Sequence, residues 1–177
     1  MDTIEDLLNK SVDLYKNNKF HDALEILEKI KSKDDSRIYF LIGTIYASVK
    51  NIKLAEKNLI EALRINQQNP LIFHNLGTVM AMKSDTQSAK KYYLKAIEIN
   101  NHIDSMSELG KLYSDENNFE EAKKYFEMIF KIDKNHKKTN LRIGNMYMKI
   151  DEHKKGLKYI QNATGLIRFS EEGFKII

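Results

Sequence analysis

Glycine returns along this chain at an almost constant step, as Gly43, Gly77, Gly110 and Gly144, separated by 34, 33 and 34 residues. Each stands three residues before Tyr46, Met80, Tyr113 or Tyr147. Self-similarity at such a period marks a repeat array, in which every unit buries its apolar face on its neighbours. An array of this kind has no single enclosed pocket in which to build chemistry, so function is expected on an extended surface.

Around each glycine, apolar residues fall at helical spacing in two runs, such as Phe73, Leu76, Gly77 and Met80, followed by Ala89, Tyr93 and Ala96. Two amphipathic helices packed on each other explain that pattern. A glycine inside a helix costs roughly 1 kcal/mol relative to alanine, so four in register imply a packing return. Gly77 facing Ala89 is expected to bring the backbones close, with Tyr or Phe rings filling the flanks. Polar breaks such as Asn17-Asn18-Lys19, Lys83-Ser84-Asp85 and Glu116-Asn117-Asn118 separate the helices within a unit. Asn69-Pro70 reads as a helix start, with asparagine as the cap and proline in the first turn.

The same phase runs through Tyr39, Ile42, Gly43, Tyr46, Ala55, Leu59 and Ala62, and through Met106, Leu109, Gly110, Tyr113, Ala122, Phe126 and Ile129. These residues resemble the tetratricopeptide repeat, an aromatic, Leu-Gly, Tyr, Ala, Phe, Ala pattern over about 34 residues. The outer units depart from it: Leu7, Lys10, Ser11 and Leu14 stand at the first four positions of one, while Asn140 and Gly156 replace the aromatic and an alanine in the other. The resemblance implies an all-α, right-handed superhelical solenoid of about five antiparallel helix pairs, with a domain over 1–169 and units near 4–35, 36–69, 70–102, 103–136 and 137–169.

The chain ends in LIRFSEEGFKII, over 170–177 and the residues just before it. Thr164-Gly165 is expected to stop the last helix. Two apolar-rich segments, 166–169 and 174–177, flank Ser-Glu-Glu-Gly, which suits a small hairpin with Gly173 in its turn. A non-helical cap on the last unit is expected.

Composition narrows the function classes. Absence of cysteine removes disulfides, thiolate metal sites and cysteine nucleophiles. Asp2, Glu5 and Asp6 occupy the place of a signal peptide's basic segment, and no apolar run approaches a membrane span, so a cytoplasmic location is expected. The net charge of +4 is concentrated at the end, where residues 137–177 hold nine basic and four acidic groups. Lysine outnumbers arginine 25 to 4, in keeping with an AT-rich genome, which weakens any step from basicity to nucleic acid.

The resemblance implies that successive first helices line a concave groove that holds an extended peptide or a partner helix. The helical wheel turns Tyr15, then Phe40 and Thr44, then Leu71, His74, Asn75 and Thr78, then Lys111, then Lys138, Arg142 and Asn145 away from the packing face. Leu8, Val12, Ser107 and Ser114 fall on the same faces. The first half of this groove is apolar and aromatic; the second is basic. A ligand to match carries apolar side chains against Tyr15, Phe40 and Leu71 and an acidic stretch near Lys138 and Arg142. Domains of the family that grip a chaperone's terminal carboxylate use a five-residue clamp of Lys, Arg and Asn. Only Lys138 and Arg142 match it here, and Glu108 stands where an asparagine belongs.

Two other classes are open to test. Lys57, Lys91, Lys124 and Lys158 recur at 34, 33 and 34 residues on the second helices, a row that could follow phosphates. Arginine is scarce along it, and base stacking on this row is not expected. Enzymatic signals are missing: His21, His74, His102, His136 and His153 are dispersed, and neither paired metal spacing nor a glycine-rich phosphate loop occurs. The sequence therefore predicts a non-enzymatic scaffold or adaptor without cofactor or metal, binding a protein or peptide. With a dozen residues after Gly165, action in trans is expected, including as an accessory protein that recruits a separately encoded enzyme. Self-association through the weak first unit is the remaining expectation on partners.

Overall fold

Side chains with short oxygen or nitrogen acceptors begin nearly every helix, because the first backbone N–H groups of a helix have no partner inside it. In the computed structural model, which describes residues 2–30, 34–170 and 173–176, Thr3 caps α1 (Ile4–Lys16) in a reciprocal box with Asp6. Asp35 caps α3 (Ser36–Ser48), and Asn69 caps α5 (Pro70–Met82) with proline in the first turn. The intervening second helices are α2 (Phe20–Lys29), α4 (Ile52–Ile65) and α6 (Thr86–Asn100). These six form one compact unit, Met1–Asn100. The second unit, Asn101–Ile177, contains α7 (Ile103–Asp115), α8 (Phe119–Ile132), α9 (Lys137–Lys149) and α10 (His153–Thr164), then β1 (Ile167–Ser170) and β2 (Gly173–Ile176).

One turn geometry joins the helices of every pair. Asn18, Lys50, Ser84, Asn117 and Asp151 all take a left-handed backbone, with φ between 58° and 61°. The next N–H then returns to a carbonyl of the first helix: Lys19 to Leu14, Asn51 to Tyr46, Asp85 to Met80, Asn118 to Tyr113 and Glu152 to Tyr147. This is the hydrogen bond that closes a helix when the residue after it turns left-handed. The residue three after each ladder glycine thus anchors the turn through its backbone as well as packing its side chain.

The glycines are explained by their partners. A Cβ at Gly77 would lie 2.6 Å from Tyr93 Cε1, and at Gly110 2.6 Å from Phe126 Cε1. Gly43 faces Leu59 and Gly144 faces Ile160 in the same way. The expected match of Gly77 with Ala89 is therefore corrected: the glycine makes room for the large side chain one turn further along the second helix. In the last pair the backbones themselves approach, since a Cβ at Gly156 would stand 2.9 Å from the Gly144 carbonyl oxygen. Ser11, at the glycine's place in the first pair, is fully buried and satisfies its hydroxyl by donating to the Leu7 carbonyl at 2.8 Å.

The buried side chains follow the repeat phase. In the first unit Leu8, Ala23, Leu27, Ile38, Leu41, Ile42 and Ile45 form one cluster, continued by Leu59, Ile72, Leu76 and Tyr93. In the second unit Met106, Leu109, Phe126, Ile129, Ile143 and Met146 are buried. Gly165, at φ 70°, ends α10. After it β1 and β2 pair antiparallel, Ile167 with Ile176 and Ser170 with Gly173, and β1 lies against α10. Gly173 is a strand residue in this register; the expected turn residues Glu171 and Glu172 and the terminal Ile177 lie outside the described residues.

Candidate protein-binding face

The first helices carry the candidate site, and their side chains are placed by two kinds of inter-helix contact. In the first unit the links are neutral or peripheral. Asn75 on α5 donates to the Thr44 hydroxyl on α3 at 2.7 Å, and that hydroxyl donates on to the Phe40 carbonyl at 2.8 Å. Thr78 donates to the His74 carbonyl and meets the Tyr93 hydroxyl at 3.3 Å, while the His74 ring leans on Tyr93. At the helix starts, Arg37 bridges Glu5 at 2.8 Å and Asp35 at 2.9 Å. Phe40 is half-buried beside this network, and Leu71 is 46% exposed. Tyr15 is half-buried and packs against Phe20, with ring centroids 5.9 Å apart.

The second unit replaces these neutral links with ion pairs. Glu108 on α7 receives Arg142 at 2.7 Å and Lys138 at 2.8 Å, both from α9. Arg142 also donates to the Ser107 hydroxyl at 2.9 Å and is only 15% exposed. Further along, Asp115 receives Lys111 at 2.8 Å and Lys149 at 2.9 Å. Burial works against ionisation of Glu108 and Asp115, but the paired lysines, with Arg142 at Glu108, outweigh it and hold both carboxyls below their usual ranges. Asn145 is exposed on the same helix.

Some residues that the wheel turns away from the packing face are covered by neighbouring helices. Leu8 is 5% exposed and belongs to the core cluster, and Ser107 and Ser114 are buried where α9 covers α7. Their faces are consumed by contacts with the next first helix. The basic side chains expected to meet a ligand are first of all stitches between repeats. A sequence signal for this was available: Glu108 and Arg142, and Asp115 and Lys149, are opposite charges 34 residues apart, one repeat.

On the second-helix side, Lys57 and Lys91 are exposed in the first unit, and Lys124 and Lys158 in the second. Lys124 pairs with Glu121 at 3.4 Å and lies over the Tyr125 ring. Among the described residues no cluster of His, Asp and Glu is arranged to hold a metal, and no helix is long and apolar enough to cross a membrane. His102 and His136 have a structural task instead. Each accepts, through Nδ1, the backbone N–H three residues on, from Ser105 at 3.2 Å and from Thr139 at 3.3 Å, and so caps α7 and α9.

Stacked helical hairpins with a patterned first-helix face define the class: a helical repeat protein built to present a surface. Residues 36–69, 72–102 and 103–136, more than half the chain, match the tetratricopeptide repeat model, and the chain belongs to the tetratricopeptide-repeat family. Among curated proteins it is similar to the anaphase-promoting complex subunit CDC16 of Saccharomyces cerevisiae, at 24% identity over 71% of this chain and 16% of that one. It is also 26% identical to the human cell division cycle protein 16 homolog over 72% of this chain and 22% of that one. A sol locus transcriptional repressor of Clostridium acetobutylicum is 28% identical over 78% of this chain and 44% of that one. The chain therefore spans about a sixth to under a half of these relatives.

Solved structures agree on the fold. MamA superposes with a TM-score of 0.73 at 18% identity, covering 93% of this chain and 95% of that one. Pseudomonas aeruginosa pilF gives 0.81 at 16% identity, over 91% and 75%. YrrB, described as a TPR protein with an unusual peptide-binding site, gives 0.67 at 24% identity, over 93% and 86%. The fold is all-α, of the tetratricopeptide solenoid type, and the family to which the chain belongs acts as protein–protein interaction scaffolds.

Proposed function

We propose that this chain is a non-enzymatic scaffold or adaptor that holds an extended peptide or helix of a protein partner on its first-helix faces. One observation carries the reading: on the first unit an exposed Leu71 and a half-buried Phe40 stand on α5 and α3, helices already fixed to each other by the Asn75–Thr44 hydrogen bond. A preformed apolar face needs little ordering on binding, so more of its contact energy appears as affinity. Tyr15, His74 and Thr78 extend the same first-unit face. The peptide-binding site ascribed to YrrB supports the class of ligand.

The second unit contributes charge selectivity. Four cations, Lys111, Lys138, Arg142 and Lys149, meet three carboxylates, Asp104, Glu108 and Asp115. One net positive charge remains for an acidic segment of the partner, which competes with Glu108 for Lys138 and Arg142 and passes Asn145. A partner of this kind includes a separately encoded enzyme that the scaffold recruits. The test is affinity capture from the native organism with wild-type chain, Phe40→Asp, Leu71→Asp and Lys138→Glu. Loss of the same partner from both apolar variants supports the reading, and unchanged recovery from all three overturns it.

A further inference from the structure

A sizeable cleft in the first unit lies away from the first-helix face. A cleft of about 700 Å³ opens on the second-helix side between α4 and α6, lined by Ile60, Leu63, Phe73 and Ile99 together with Arg64, Lys95 and Glu98. Phe73 and Lys95 also line a contiguous hollow of about 280 Å³ that reaches Ser88, Lys91 and Tyr92. Phe73 and Tyr92 lie with ring centroids 6.4 Å apart and planes tilted by 39°. Beside them Ile60 is 46% exposed. A concave apolar floor of this volume falls in the range of ligand-binding clefts.

The charge around that floor is unequal. Arg64, Lys91 and Lys95 border the combined cleft against Glu98, with Glu61 beside Arg64, so three positive groups face two negative ones. Arg64 reaches Glu61 at 3.0 Å and Lys95 reaches Glu98 at 2.7 Å, both short-range pairs on the same helix and well exposed to water. Exposed pairs of this sort are worth little and exchange readily. Lys91 acts at longer range on Asp85, at the start of α6. An acidic ligand therefore meets a rim whose positive groups outnumber its negative ones, over a floor that offers two rings.

We propose that this cleft docks an acidic peptide segment of a protein partner, one aromatic or large aliphatic side chain of which seats on Phe73 between α4 and α6. Arg64, Lys91 and Lys95 flank that anchor and select carboxylates on either side of it, and the Gln67 and Gln68 amides border the cleft where peptide backbone groups need partners. Aromatic anchors on ring floors with a polar rim are the usual source of binding energy at such sites. The site is separate from the first-helix face, because Leu71 and Phe73 project about 200° apart around α5. A scaffold with both surfaces holds two partner segments at once.

The experiment titrates the full chain with a short fluorescent peptide that carries one phenylalanine flanked by glutamates, alongside a lysine-flanked peptide and a glutamate peptide without phenylalanine. Amide shifts in NMR spectra locate the complex. Saturable shifts centred on Ile60, Phe73 and Ile99 are expected with the first peptide only. Ile60→Asp and Lys91→Glu, both at exposed positions, should each weaken binding by about tenfold, and Leu71→Asp should leave it unchanged. Shifts centred on Phe40 and Leu71, equal binding of the lysine-flanked peptide, or failure to saturate each overturn the proposal. Those failures leave the first-helix reading intact, because it is tested by partner capture with Phe40→Asp and Leu71→Asp.

Discussion

Glu108 on α7 and Arg142 on α9 meet at 2.7 Å, 34 residues apart, and join consecutive first helices of the second unit. Their side chains are 24% and 15% exposed, so the pair is largely withdrawn from water. Removing one partner of such a pair leaves the other charge desolvated, whereas replacing both with apolar groups does not. Glu108→Ala is expected to cost about 2–3 kcal/mol in urea unfolding followed by circular dichroism. The double variant Glu108→Leu/Arg142→Met should recover much of that loss. A double variant as unstable as the sum of its singles would show that the pair is not coupled.

The pH dependence of the second unit follows from its caps and carboxylates. Burial holds the His102 ring below its ordinary value of 6.5, with Asp104 acting in the opposite direction. Between that value and the lower folded one, the unfolded chain binds more protons, so stability falls as pH drops. Protonation also turns Nδ1 from acceptor to donor and removes the cap on the Ser105 N–H. A further loss is expected below the ordinary carboxyl values of 4.5 and 3.8, because the folded state holds Glu108 and Asp115 lower. Thermal melts from pH 7 to 3 should show both steps, and His102→Asn, which keeps an acceptor at the cap, should remove the first.

Gly110 tests the reason for the glycine ladder. A methyl group there would come within 2.6 Å of the Phe126 ring, which is fully buried and has no room to withdraw. The roughly 1 kcal/mol that alanine gains as a helix former is outweighed by overpacking of about 1–3 kcal/mol. Gly110→Ala is therefore expected to destabilise the chain. On a background of Phe126→Ala, where the ring is gone, the same substitution should become stabilising. A penalty unchanged by loss of the ring would place the constraint elsewhere.

These cases show what was legible in the sequence. The period, the two helices of each pair and the all-α class could be read from Gly77, Tyr93 and Ala96 because burial imposes a strict phase on such residues. The glycine's partner was misassigned, since helical spacing gives the face but not the axial offset between helices: Gly77 meets Tyr93, not Ala89. The wheel likewise cannot tell a residue that faces ligand from one that faces the next repeat. Ser107 and Arg142 show this, lying on a first-helix face and yet joined to each other. Opposite charges one repeat apart carry that information, and the cleft over Phe73 depends on the gap between α4 and α6, which no single-helix pattern contains.

Lys50 and Ser84 hold φ at 58° and 61° at the turns within their pairs. A side chain in the left-handed region costs roughly 1–2 kcal/mol, partly offset in glycine's case by its greater freedom when unfolded, about 0.5–1 kcal/mol. Both residues are exposed, so little packing is lost on substitution. Lys50→Gly and Ser84→Gly are each expected to raise stability by about 0.5–1 kcal/mol without altering partner capture. Measured melting temperatures that fall would show that the turn is not strained.

Thr44 passes one hydrogen bond to another: it accepts from Asn75 at 2.7 Å and donates to the Phe40 carbonyl at 2.8 Å. Thr44→Val keeps the shape of the side chain but removes both functions, leaving the half-buried Asn75 amide without that acceptor. The expected cost is about 1–2 kcal/mol. Because the bond also fixes α3 to α5, a partner that uses Phe40 and Leu71 must then meet the cost of ordering them. Its dissociation rate should rise while its association rate changes little, the usual division for a weakened interface. Surface plasmon resonance with the captured partner separates the two, and an unchanged dissociation rate would exclude the Thr44 relay from the preformed face.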